Sequence, residues 1–149
     1  PVFRIYNYSF LINDRNSIFR TYIPAMNLKR NFHLGLLYLI HLLIGVDGSI
    51  DEREQSHLNT VRQKENIPDQ EFLEFEREIR NKREKEVYQL GLDHINQCQD
   101  EDKLKAFVYL YKMTEVDGHV HVKEVRLLLY STKMAGVEFE DVVARAKSV

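Results

Sequence analysis

Residues 46–54 read VDGSIDERE and residues 116–124 read VDGHVHVKE. Both stretches contain Val-Asp-Gly, then one residue, an aliphatic residue, three further residues and a Glu, and they lie 70 positions apart. A motif that recurs in matching surroundings indicates a duplicated structural unit. We therefore predict two helix-turn-helix units, about residues 30–68 and about residues 101–138, related by a pseudo-twofold repeat.

The apolar residues around the two motifs coincide under the same offset. Leu37, Ile40, Leu43, Leu58 and Ile67 fall on Phe107, Leu110, Met113, Leu128 and Val137, respectively. Apolar residues at this spacing are typical of amphipathic helices on either side of a turn.

The same periodicity predicts an all-α, seven-helix bundle in a single domain. We expect the helices near residues 30–46, 51–65, 69–82, 84–98, 101–116, 121–135 and 139–147. Asp51, Asp69 and Asp100 stand where N-caps are expected.

Residues 1–25 show no clear helical period, and Met26 looks like a natural start. We therefore expect residues 1–25 to be an N-terminal extension outside the native domain, which would comprise residues 26–149. The alternative is a native arm that packs on the domain.

Composition narrows the class of protein. The chain has 149 residues, 44% of them hydrophobic, and 21 Lys and Arg against 23 Asp and Glu. This near balance of charges provides no positive electrostatic field that would favour binding to nucleic acid. Cys98 is the only cysteine, and a single thiol is typical of a reducing compartment. Residues 34–46 would span only about 20 Å as a helix, too short to cross a bilayer. We expect a cytoplasmic protein without membrane insertion.

Most features of the repeat have a local structural explanation. Gly48 and Gly118 suit a left-handed turn after a helix, and Asp51 with Glu54 has the spacing of a capping box. Neither the turn nor the capping box explains Asp47 and Asp117. An acidic residue near a helix C-terminus lowers the stability of the helix by about 0.3–1 kcal/mol. Some other interaction should compensate for this cost.

One candidate for that interaction is a divalent cation, namely calcium, magnesium, manganese or zinc. The motif matches the second half of a calcium-binding loop, but the first half has no ligands at Leu43 and Gly45 or at Met113. A site shared by the two units would use Asp47, Asp51, Glu54, Glu115, Asp117 and Glu124. The alternatives are purely structural turns, or a transition-metal site of His119 and His121 with Asp117 or Glu124.

Other polar residues have simpler interpretations. His41 aligns with Tyr111, which predicts a polar tip at the core margin in both units. Cys98 ends an apolar helical stripe and is interpreted as a core residue. The sequence contains no evident set of nucleophile, base and orienting group, so we expect no enzyme.

The paired Asp-Gly-x-aliphatic-x-x-x-Glu motifs resemble the tellurite-resistance protein B family, whose domain also occurs in a membrane-anchored DnaJ-like cochaperone. The resemblance covers residues 33–147. It implies a seven-helix fold, an acidic divalent-metal site, and a role in bacterial stress or phage defence without known catalysis. By position, the acidic patch falls on Asp47, Glu54, Asp117 and Glu124. The chain departs from the family at Val46 and Val116, where a small residue is usual, and at His119 and His121.

We therefore expect a non-enzymatic binding domain, regulated by a divalent cation, that acts through protein partners in a bacterial stress or tellurite-resistance type response. The alternative is a metal-independent scaffold that presents a groove between the two repeats to a peptide or partner helix. An enzyme would require a buried carboxylate pair facing a deep pocket.

Overall fold

The computed structural model describes residues 17–45, 52–115 and 121–148 of the chain. Within these ranges the secondary structure is entirely helical. The seven helices are α1 (Ser17–Ile44), α2 (Glu52–Glu65), α3 (Asp69–Asn81), α4 (Glu84–Asn96), α5 (Asp100–Glu115), α6 (Val122–Ala135) and α7 (Phe139–Lys147). The predicted all-α, single-domain bundle is confirmed.

Six helices begin and end within two residues of their predicted bounds, but the predicted start of α1 was wrong. The helix begins at Ser17 instead of near residue 30, and it continues through Pro24. Ile18, Tyr22 and Met26 do recur at helical spacing, and Pro24 obscured this signal because proline usually interrupts a helix. The helix crosses residue 25 without a break, and the domain boundary expected there stays a prediction.

Helix α1 is the central element of the bundle. It packs along α4 and also contacts α2, α3, α5 and α6. Its fully buried side chains are Leu34, Leu36, Leu37, Tyr38, Leu39 and Ile40. A helix that is apolar on every side has to be enclosed by other helices, which explains its central position.

Two glycines allow α1 and α4 to approach closely. A Cβ atom on Gly35 would lie 2.8 Å from the Ile95 side chain, and one on Gly91 would lie 3.2 Å from the Leu39 side chain. Larger residues at either position would push the helices apart. Cys98, just beyond α4, is buried as expected, and this burial raises the pKa of its thiol to about 11.

Helices α2 and α6 have bounds that differ by 70 at both ends. After them, Asn66 and Gly136 both have positive φ, 52° and 71°. The Ile67 amide donates to the Arg62 carbonyl (3.0 Å), and the Val137 amide donates to the Thr132 carbonyl (2.9 Å). The two helix ends thus share one backbone arrangement. The pseudo-twofold repeat stays a prediction, because residues 46–51 and 116–120 lie outside the described ranges.

Two of the predicted N-caps were wrong. Asp69 and Asp100 are the first residues inside α3 and α5, and Pro68 is the N-cap of α3. The Asp69 carboxylate instead accepts a hydrogen bond from Arg62 at 2.7 Å, so it links α3 to α2. Asp51 lies outside the described residues.

None of the described helices combines the length and the apolar character needed to cross a membrane.

Candidate functional site

The structure describes three of the six residues predicted for a shared cation site. Glu115 is the last residue of α5 and is exposed. Glu54 lies in α2 and Glu124 lies in α6, each in the first turn of its helix. Asp47, Asp51 and Asp117 fall outside the described residues.

Glu54 is one partner of a buried pair between α1 and α2. Its side chain is fully buried, and its Oε1 lies 2.6 Å from Nδ1 of His41, which is also buried. Gly45 packs against this pair, since a Cβ atom there would lie 3.0 Å from the His41 ring. His41 therefore lies inside the core and not at its margin as predicted. A buried carboxylate needs such a partner, because an isolated one would be strongly disfavoured.

The corresponding region of the second unit differs. Glu124 is only half-buried, and so is Tyr111, the counterpart of His41. A hydrogen bond to Glu115 raises the pKa of Tyr111. Tyr111 also packs edge-on against Phe139 of α7, with ring centroids 6.0 Å apart. The two predicted ligands thus occupy different environments.

Across the described residues, no cluster of three or more His, Cys, Asp or Glu side chains is arranged to hold a metal ion. Three of the six predicted ligands lie outside the described residues, so the shared cation site stays a prediction. The alternative site of His119 and His121 also stays a prediction. His119 is outside the described ranges, and His121 is an exposed N-cap residue of α6.

The structure contains a cleft between α2 and α5. Helix α2 forms one wall, α5 forms the other, and α7 contributes Arg145 at one end. Its volume is about 570 Å³, within the range of known ligand clefts. Apolar side chains, including Val61, Val108 and Met113, line it together with Tyr109.

The charged groups of the cleft are mostly cationic. They are Lys64 from α2, Glu101, Lys105 and Lys112 from α5, and Arg145 from α7, and His57 of α2 also lines the cleft. Glu101 is already paired with Arg145 at 2.6 Å, and this contact lowers the pKa of Glu101. The cleft is therefore an apolar groove with a positively charged rim, although the chain as a whole has a net charge of −2.

A buried acid joins the two walls of the cleft. Glu65, at the end of α2, accepts hydrogen bonds from Lys105 Nζ (2.9 Å) and from the Tyr109 hydroxyl. Burial, together with the bond to Glu65, raises the pKa of Tyr109, so the phenol stays protonated as a donor. These bonds fix α2 relative to α5 and thereby the width of the cleft.

Sequence reasoning did not single out the residues of this cleft. One signal was available, because His57 and Lys64, and likewise Lys105 and Lys112, are seven residues apart on their helices. Seven residues are two helical turns, so each pair lies on one face. The sequence does not reveal that the two faces meet.

No protein-family model, curated protein or solved structure matches this chain. Its function therefore has to be inferred from the cleft and its charges.

Proposed function

We propose that this chain is a non-enzymatic protein-interaction domain and that the cleft between α2, α5 and α7 is its binding site. The observation that carries the proposal is an apolar floor surrounded by cations at the junction of the two helix-turn-helix units. Apolar contacts would supply affinity, and the charged rim would supply orientation and selectivity. We assign to this cleft the groove between the two predicted units that the scaffold alternative requires.

The chemistry of the lining favours binding over catalysis. The half-buried Val108 and Tyr109 provide apolar contact area, whereas Val61 and Met113 are buried. The Glu101 carboxylate in the cleft is paired with Arg145. The buried acid beneath, Glu65, is held by two donors, which disfavours its use as a base.

The family resemblance adds two further proposals, cation regulation and a part in a bacterial stress or tellurite-resistance type response. One feature of α2 fits cation regulation. The helix carries Glu54, a predicted ligand, in its first turn and forms a cleft wall with His57, Val61 and Lys64. A cation bound near the start of α2 would therefore act on the helix that shapes the cleft.

The binding site can be tested without a known partner by selecting peptides from a displayed random library on the wild-type chain. Thr60 is exposed and lines the cleft, whereas the adjacent exposed Asn59 does not line it. Thr60→Trp should fill the groove and weaken the selected peptides about tenfold or more, as expected when a contact of about 1.4 kcal/mol is lost.

Asn59→Trp is the matched control, because it places the same side chain on the same helix. It should leave the peptide affinities unchanged, and melting curves should show that both variants fold. Peptides that bind both variants as tightly as wild type would place the interaction site elsewhere and contradict the proposal.

A further inference from the structure

The two walls of the cleft carry basic residues at the same spacing. On α2, Val61 lies between His57 and Lys64, and on α5, Val108 lies between Lys105 and Lys112. In both pairs the basic residues are seven positions apart, about 10.5 Å along a helix. A ligand that follows the cleft therefore meets apolar contacts in the middle, Lys64 on one wall, and Lys105 and Lys112 on the other.

Helix α2 and helix α5 offer side chains to a ligand and little free backbone. Their interior amides and carbonyls are bonded within each helix, so a partner strand could not extend them as it extends a sheet edge. A groove between two helices instead accommodates a third helix, which inserts an apolar stripe with the spacing i, i+3 or i+4, i+7.

The cations differ in their availability to a partner. Lys105 is bound to buried Glu65, whereas Lys64 and Lys112 form no ion pair with any other residue that the structure describes. Arg145 is paired with Glu101, but both side chains are substantially exposed. Exposed pairs of this kind contribute little stability, so a partner carboxylate could replace Glu101 at small cost.

We infer that the occupant of the cleft is an acidic amphipathic helix of another protein, an inference that rests on the proposed function. Its apolar stripe packs on the half-buried Val108 and Tyr109. Glu or Asp residues on one flank of this helix face Lys64, and those on the opposite flank face Lys112. Another carboxylate on the same helix takes the place of Glu101 at Arg145.

The test uses three fluorescent, hydrocarbon-stapled helical peptides with one leucine stripe and flanking residues that are all Glu, all Gln or all Lys. Fluorescence anisotropy with the full chain should show the Glu peptide binding about tenfold more tightly than the Gln peptide at low salt, and the Lys peptide binding weakest. The difference between Glu and Gln should shrink at about 1 M salt, where the screening length is about 3 Å.

Charge reversal of the cleft provides the second arm. In the K64E/K112E double variant the preference should invert, with the Lys peptide binding more tightly than the Glu peptide by about tenfold. The K29E/K133E variant is the control, because it makes the same change in net charge at two exposed lysines outside the cleft. It should keep the wild-type preference.

The outcomes separate this inference from the proposed function. If the Gln peptide binds as tightly as the Glu peptide and Thr60→Trp abolishes both, the cleft is a protein site and the inferred acidic partner is wrong. If a fluorescent single-stranded oligonucleotide competes for the cleft and binds more tightly than the Glu peptide, the occupant is a nucleic acid and the inference also fails. If no peptide binds and the library selection yields no cleft-dependent sequence, the proposed function itself falls.

Discussion

The segments α1–α2 and α5–α6 share the bounds of their second helices, α2 and α6, which differ by 70 at both ends, but they place their polar residues in different environments. In the first, Glu54 is fully buried and bonded to His41, while in the second, Glu124 is half-buried and Tyr111 bonds Glu115. The glutamate of one motif thus lies in a buried, hydrogen-bonded pair, whereas the glutamate of the other lies near the surface.

The surroundings of each segment explain this difference. Helix α1 is enclosed by five neighbouring helices, so His41 points into the interior and needs a buried partner. Helix α5 has one face open to the cleft, and its half-buried Tyr111 packs against Phe139 of α7. The position of a helix in the bundle, more than its own sequence, decides how much each motif residue contributes to stability.

The largest expected effect is the loss of stability when the buried Glu54 is replaced. Glu54→Gln should lower the free energy of unfolding by about 3 kcal/mol, because it removes the carboxylate from a buried, hydrogen-bonded pair. The equivalent change in the second unit, Glu124→Gln, should cost less than about 1 kcal/mol, as is usual for a partly exposed acid. Urea denaturation of both variants measures the difference. Equal losses would mean that burial does not distinguish the two glutamates.

Much of the fold was predictable because apolar periodicity is a local signal. The bounds of α2 and α6 follow from the spacing of residues such as Leu58 and Leu128. The pair of His41 with Glu54 was not predicted, since it depends on how α2 returns against α1. The cleft was predicted only as a groove between repeats. Its basic residues, from His57 in α2 to Arg145 in α7, belong to three helices and come together only after folding.

A second prediction concerns the two turns and tests the cation site directly. If the turns share one divalent ion, calcium, magnesium, manganese or zinc should stabilise the fold by about 2.7 kcal/mol at about 100 times its Kd. Asp47→Asn alone and Asp117→Asn alone should each remove most of this gain. Two independent sites would instead leave about half of it in each variant. Melting curves at millimolar metal provide the measurement, and an unchanged midpoint with all four metals would contradict the site.

The smallest expected effect concerns a pair of buried positions 70 residues apart. Val61 in α2 and Ser131 in α6 are both 1% exposed, but the Ser131 hydroxyl has no hydrogen-bond partner among the described atoms. Ser131→Val introduces the residue found at the matching position of the first unit. It should raise the free energy of unfolding by about 1 kcal/mol, because it removes the cost of a buried, unsatisfied hydroxyl.

Ser131→Ala separates the hydroxyl from the added volume. Both substitutions remove the oxygen, but only valine adds methyl groups that could overpack the core. Stabilisation by alanine and not by valine would mean that the site around α6 is tighter than the site around α2. Destabilisation by both would mean that the hydroxyl is satisfied in solution. In that case the second unit would depend on a polar contact at a position where the first relies on apolar packing.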